Sequence, residues 1–134
     1  IISSLNWIYN NRNTPNIIET NNLVIINAQS NIKDTIIGTV NSILTNSCFF
    51  SSASLIDSIA YTNDNNIKIS LRSPENESID LSEIISEVCK NLGGLGGGHP
   101  NAAGGLIPVS KEKEFIENMM IKIKSPEIKE TQKA

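Results

Sequence analysis

Seven of the chain's eight glycines fall within one short stretch, Gly93–Gly105, which reads GGLGGGHPNAAGG. Each glycine inside a helix costs on the order of 1 kcal/mol relative to alanine, so no helix runs through this stretch. The segment contains no Lys, Arg, Asp or Glu, so it presents main chain and one imidazole, His99. Bare glycine backbone lets N–H groups converge on an anion, and the expectation is a nest built from the amides of Gly96, Gly97 and Gly98 beside His99. Pro100 fixes the backbone after the imidazole, and the small Ala102, Ala103 and Gly104 leave room for a ligand. By composition alone a glycine-rich run also reads as a flexible linker.

The flanking sequence supplies regular elements. Ile1–Tyr9 has apolar residues at helical spacing and reads as the end of a helix, followed by a polar linker closed by Pro15. Leu23–Asn27 is apolar at successive positions, which predicts a central strand covered on both faces. Ile36, Ile37, Val40, Ile43 and Leu44 mark a helix face, with Asn31 as the expected N-cap and Gly38 suggesting close packing against a neighbour. Leu55–Tyr61 and Ile67–Arg72 predict a hairpin around the Asn-rich turn 63–66. In its second strand Ile67, Ile69 and Leu71 share one face and Lys68, Ser70 and Arg72 the other. Asp80 caps a helix striped by Leu81, Ile84, Ile85, Val88 and Leu92, and Gly93 ends it in a left-handed conformation. Gly105–Val109 predicts a last strand, and Ser110 caps a final helix with Phe115, Ile116, Met119, Met120 and Ile123 inward. The acidic Glu112, Glu114 and Glu117 read as a solvated face that suits the helix dipole. The fold class expected is α/β (α+β): a mixed β-sheet containing one hairpin, flanked by three to four helices. The expected division is 1–22 linker or end of a preceding region, 23–124 domain, and 125–134 polar tail.

At 134 residues and 39% hydrophobic content the chain suits one domain. A net charge of -3 argues against a broad basic surface for nucleic acid, so phosphate binding must be local. Cys48 and Cys89 show neither metal-ligand nor disulfide-framework spacing and read as buried, reduced thiols. The apolar runs are far shorter than the roughly 20 residues that span a bilayer, and no leader pattern opens the chain, so a soluble cytoplasmic protein without membrane association is expected. The first residue is Ile1 and not methionine, so an upstream part is expected as well.

Three glycines, a histidine, two residues and Ala-Ala-Gly, here Gly96–Gly104, make a segment that resembles the signature of the DHHA1 domain of DHH-family phosphoesterases. It lies after a helix and before a strand, as in that domain. The stretches VIINAQSNIKDTIIGTVNSIL, IKISLRS and DLSEIISEVCKNLGG are similar to successive elements of the archaeal RecJ-like version, so the resemblance covers roughly Leu23–Lys124. It implies that His99, the Gly96–Gly98 amides, Arg72 and Ser70 meet a phosphate of nucleic acid, with Ala102, Ala103 and Gly104 beside them. It also implies two divalent metals, Mn2+ or Mg2+, in a separate DHH domain. With one histidine and no Asp-His-His triplet, this chain is not expected to build that centre or to hydrolyse alone.

Within that resemblance the first reading is the substrate-gripping half of a single-strand-specific exonuclease that works with a DHH domain in cis. Others are a phosphodiesterase domain for short oligonucleotides or cyclic dinucleotides, and a non-catalytic module joined to GINS-type replication proteins. A fourth is an appendage like that of alanyl-tRNA synthetase, against which His99 argues, because arginine is typical at that position there.

Overall fold

The computed structural model describes residues 1–50, 55–74 and 79–133, with side chains described as far as 123. Its centre is set by the unbroken apolar run of strand β2 (Leu23–Gln29). Successive side chains of a strand point to opposite faces, and here Leu23 and Ile25 enter one hydrophobic cluster while Val24, Ile26 and Ala28 enter a second. Both faces of the strand are therefore covered, as its sequence requires.

Around it, helix α1 (Ile2–Asn11), β1 (Ile17–Glu19), α2 (Asp34–Ser47), β3 (Leu55–Tyr61), β4 (Asn66–Arg72), α3 (Leu81–Asn91), β5 (Leu95–His99), β6 (Ala102–Pro108) and α4 (Glu112–Lys133) follow in chain order. The strands form one six-stranded mixed sheet in the order β1-β2-β3-β4-β6-β5. Only β2 and β3 run parallel, joined through α2, and the other neighbours are antiparallel. Ile8 of α1 and Ile37, Val40 and Leu44 of α2 fill one core. Leu81, Ile85, Val88 and Cys89 of α3, with Phe115, Met119 and Ile123 of α4, fill the other. Among the described residues no helix is long and apolar enough to cross a membrane.

The α/β class and the hairpin β3–β4 agree with the sequence expectation, but the sheet is larger. Residues before 23 are not merely a linker, since Ile8 is fully buried and Ile17 nearly so. β1 escapes a reading of the sequence because a three-residue edge strand carries too little pattern to register. α2 starts at Asp34 behind Lys33, while Asn31 Nδ2 instead donates to the Ala28 carbonyl. Ser110 lies in a 3-10 turn, Val109–Lys111, ahead of α4. Cys48 is exposed and only Cys89 is buried. Asp80 does cap α3, its carboxylate accepting from the amides of Ser82 and Glu83, and Gly93 is left-handed at φ 81. Glu112 is not simply solvated: it accepts from the Tyr61 hydroxyl and from Asn27 Nδ2, tying the start of α4 to the sheet. The bond from Tyr61 also raises that residue's pKa, with burial adding to it.

Two core positions yield measurable consequences. A Cβ on Gly38 would meet only Ser70 Oγ, at 3.8 Å, an ordinary contact, so the expected tight packing is absent. Gly38→Ala should therefore stabilise the fold by about 1 kcal/mol in urea unfolding, and a loss of stability would contradict this. Asp57 of β3 is fully buried, and neither carboxyl oxygen has a hydrogen-bond partner among the described residues. Burial holds its pKa well above the ordinary 3.8. Its contribution to stability is therefore fully present below that ordinary value and is lost as pH rises through the folded-state value. Relative to wild type, Asp57→Asn should gain stability as pH rises from the ordinary carboxyl value through the raised folded-state value, and an offset independent of pH would refute the assignment. The same buried layer holds Cys89, whose thiol is pushed up to about 11, first by burial and then by Asp57.

Candidate phosphate-binding site

The glycine segment is a β-hairpin, not a loop. β5 and β6 pair in antiparallel register, Gly96 with Gly105, Gly97 with Gly104, Gly98 with Ala103 and His99 with Ala102, leaving Pro100–Asn101 as the turn. Successive amides of a strand point to opposite edges, so those of Gly96, Gly97 and Gly98 do not converge as a nest would require. Side chains must therefore provide more of any anion grip than the sequence suggested.

The register decides which of them meet. Ala102 pairs with Arg72 on one side and with His99 on the other, so the three side chains lie in one row on one face of the sheet. Arg72 and His99 are two strand spacings apart, roughly 10 Å between Cα atoms. Only the methyl of Ala102 stands between them, and a group placed above it is within reach of both long side chains. The next row is Ser70, Gly104 and Gly97, and the one after it Lys68, Leu106 and Leu95. The other face of β4, with Ile67, Ile69 and Leu71, is buried under α3 and α4.

Helix α2 packs on β3 and β4, whereas α3 packs on the opposite face of β5 and β6. The row face of β5 and β6 is consequently open: His99 is exposed and Leu95 is 82% exposed. Arg72 is half-buried, and its Nε is enclosed without a hydrogen-bond partner among the described residues. A buried, unpaired guanidinium donor is costly and marks a position where an acceptor would be stabilising.

The nine residues singled out from sequence thus separate into two groups. Arg72, Ser70, Gly97, His99, Ala102 and Gly104 share the row face, which is open at β5 and β6 and covered by α2 at Ser70. Ser70 is nearly covered, at 8% exposure, and its carbonyl accepts from the buried Asn41 Nδ2 at 2.8 Å. Gly96 and Ala103 belong to the packed side, whereas Gly98, which points the same way, is exposed. A Cβ on Gly96 would come within 2.7 Å of the Ile85 carbonyl oxygen and one on Gly98 within 2.7 Å of Ala103 Cα, while Ala103 sits in the core. Gly98 also adopts φ 138, a conformation that disfavours a side chain.

Asn101 is a residue that sequence reasoning misses. Its Nδ2 donates to Ser73 Oγ and to the Pro74 carbonyl, each at 3.2 Å, and its own carbonyl accepts from the Ser73 amide. The Pro100 carbonyl accepts from the Leu81 amide at 2.9 Å. These bonds pin the hairpin turn to the end of β4, next to Arg72, and to the start of α3. The Pro-Asn dipeptide is a turn signal, but its bonding partners lie too far along the chain to be read from it. Among the described residues no three of His, Cys, Asp and Glu converge to hold a metal ion.

The two groups of glycines make a direct test possible. Gly96→Ala should lower stability by about 1–3 kcal/mol through overpacking against Ile85. Gly97→Ala, where a Cβ meets nothing within 4 Å, should stay within about 0.5 kcal/mol of wild type. Equal losses in thermal or urea unfolding would contradict the assigned faces.

Comparison with known proteins agrees with this architecture. The family model for the DHHA1 domain matches residues 21–125. The C-Ala domain of Aquifex aeolicus alanyl-tRNA synthetase superposes with a TM-score of 0.61 at 15% identity, over 77% of this chain and 93% of that one. A DHH domain structure from a member of a family of ribosomal proteins gives 0.59 at 18% identity, over 81% of this chain and 28% of that one. A pGpG-specific phosphodiesterase, PggH of Vibrio cholerae, gives 0.53 at 12% identity, over 89% and 39%. The chain thus spans well under half of the latter two proteins. A search of the curated proteins produced no match.

Proposed function

Because this chain belongs to the DHHA1 domain family, we propose that it grips phosphate groups of single-stranded nucleic acid for a metal-dependent phosphoesterase. The observation that carries this reading is the row Arg72–Ala102–His99 on the sheet face that is open at β5 and β6, with a guanidinium donor at one end that has no partner among the described residues. A guanidinium offers charge-assisted hydrogen bonds to a phosphate, and an imidazole adds a second donor when protonated. Both act on the backbone and not on base edges, so the grip is indifferent to sequence. Two such contacts suit a chain of net charge -3, which has no need of a broad basic surface.

In this reading hydrolysis belongs to a DHH domain outside the chain, whose Mn2+ or Mg2+ pair supplies the activated water, while Arg72 and His99 hold the strand in place. The parent protein would be a RecJ-like single-strand-specific exonuclease. A dinucleotide phosphodiesterase is the second reading, supported by the fold shared with a pGpG-specific enzyme. GINS-type replication proteins are proposed as partners of the parent, with the DHH domain in cis.

Fluorescence anisotropy with a labelled single-stranded oligonucleotide tests the grip. Arg72→Ala and His99→Ala should each weaken binding about tenfold. Arg72→Ala should also reduce the slope of log affinity against log salt by about 0.7, the effect of one lost phosphate contact on a single strand. Unchanged affinity in both variants would remove the phosphate role.

A further inference from the structure

The row beyond the glycines carries a different set of groups. Lys68, Leu106 and Leu95 are paired across β4, β6 and β5 and border an open cleft of about 470 Å³ whose floor includes Gly97 and Gly104. Leu95 and Leu106, 82% and 42% exposed, place two large apolar side chains next to each other on the solvent face of a sheet. Lys68 is exposed and forms no ion pair among the described residues.

One residue of the floor is unexplained by the fold. A Cβ on Gly94, Gly96, Gly98, Gly104 or Gly105 would approach another atom closer than 3.0 Å, and Gly93 needs its positive φ. Gly97 has an ordinary φ and, among the described residues, open space where a side chain would go. Packing does not require glycine there, whereas access of a flat ligand to the backbone does.

Lys68 and Arg72 lie four residues apart on one strand, about 13 Å between Cα atoms. A single phosphate bound in the Arg72–His99 row is thus separated from Lys68 by the length of the glycine floor. Ser70 lies between the two cations on β4, covered beside Gly38 of α2, and next to it Gly104 and Gly97 leave a bare surface bordered at the Lys68 end by the two leucines, which suits a planar, largely apolar ring.

The geometry points to a second nucleotide subsite: a nucleobase seated on Gly97 and Gly104 against Leu95 and Leu106, with the adjoining phosphate at Lys68. The subsite rests on the phosphate grip proposed above and extends it, making the ligand a strand of at least two nucleotides. Its polarity is complementary, with Lys68 at one edge of the cleft and an uncharged floor for the base.

Calorimetric titration of the chain with a 5′-phosphorylated mononucleotide and with the corresponding dinucleotide tests it. The dinucleotide should bind about tenfold tighter, the order of one base stacked on an apolar platform plus one phosphate contact. Lys68→Gln, and separately the exposed pair Leu95→Ser with Leu106→Ser, should reduce that advantage and leave mononucleotide affinity unchanged. A dinucleotide bound no tighter than the mononucleotide, or an advantage that survives both variants, overturns the subsite. If the mononucleotide still binds and Arg72→Ala abolishes it, the phosphate grip stands without the subsite. Failure of both probes to bind overturns the two together.

Discussion

The two-residue period of β4 is the constraint on which the site depends. Ile67, Ile69 and Leu71 must face the α3–α4 core, each fully buried isoleucine or leucine being worth about 1.5–3 kcal/mol over exposure. A one-residue slip would turn all three to the other face. With that face fixed, Lys68, Ser70 and Arg72 have no freedom to point elsewhere. The register with β6 and β5 then carries the same choice across the sheet, so hydrophobic burial on one side aligns Arg72 with His99 on the other.

The glycines make this alignment possible in two ways. Gly96 and Gly105 let α3 approach the hairpin closely, to the point that a Cβ on them would come within 3.1 Å and 2.6 Å of Cys89 Sγ. That close seat, with the Pro100 carbonyl bonded at the start of α3, holds a strand poor in side chains to the sheet. On the opposite face Gly97 and Gly104 leave the trough floor bare. The glycine-rich signature is thus a two-sided device, with packing below and access above.

Much of the fold was legible from the chain. The apolar run of β2, the alternation in β4, the Asp80 cap and the Gly93 terminus are local patterns, and each appears where its physics puts it. The hairpin β5–β6 was not legible, because glycine disfavours strands and this pairing is held by tertiary contacts with α3. For the same reason the expected amide nest gives way to a row of side chains. Glu112 reads from sequence as a solvated residue and Asn101 is missed there, and only their distant partners, Tyr61 and Asn27 for one and Ser73 and Pro74 for the other, reveal what they hold together. The Arg72 face was readable from alternation alone; that His99 shares its row required the register.

The most direct measurement is a nuclear magnetic resonance titration of the isotope-labelled chain with a 5′-phosphorylated single-stranded trinucleotide, following the Arg72 Nε–H signal and the His99 ring signals together with the backbone amides. The account predicts that both side-chain signals shift in the same saturable transition, with amide changes concentrated on β5, β6 and the end of β4. Shifts confined to α3 and α4, or a saturable transition that leaves Arg72 Nε–H and the imidazole unmoved, would contradict it.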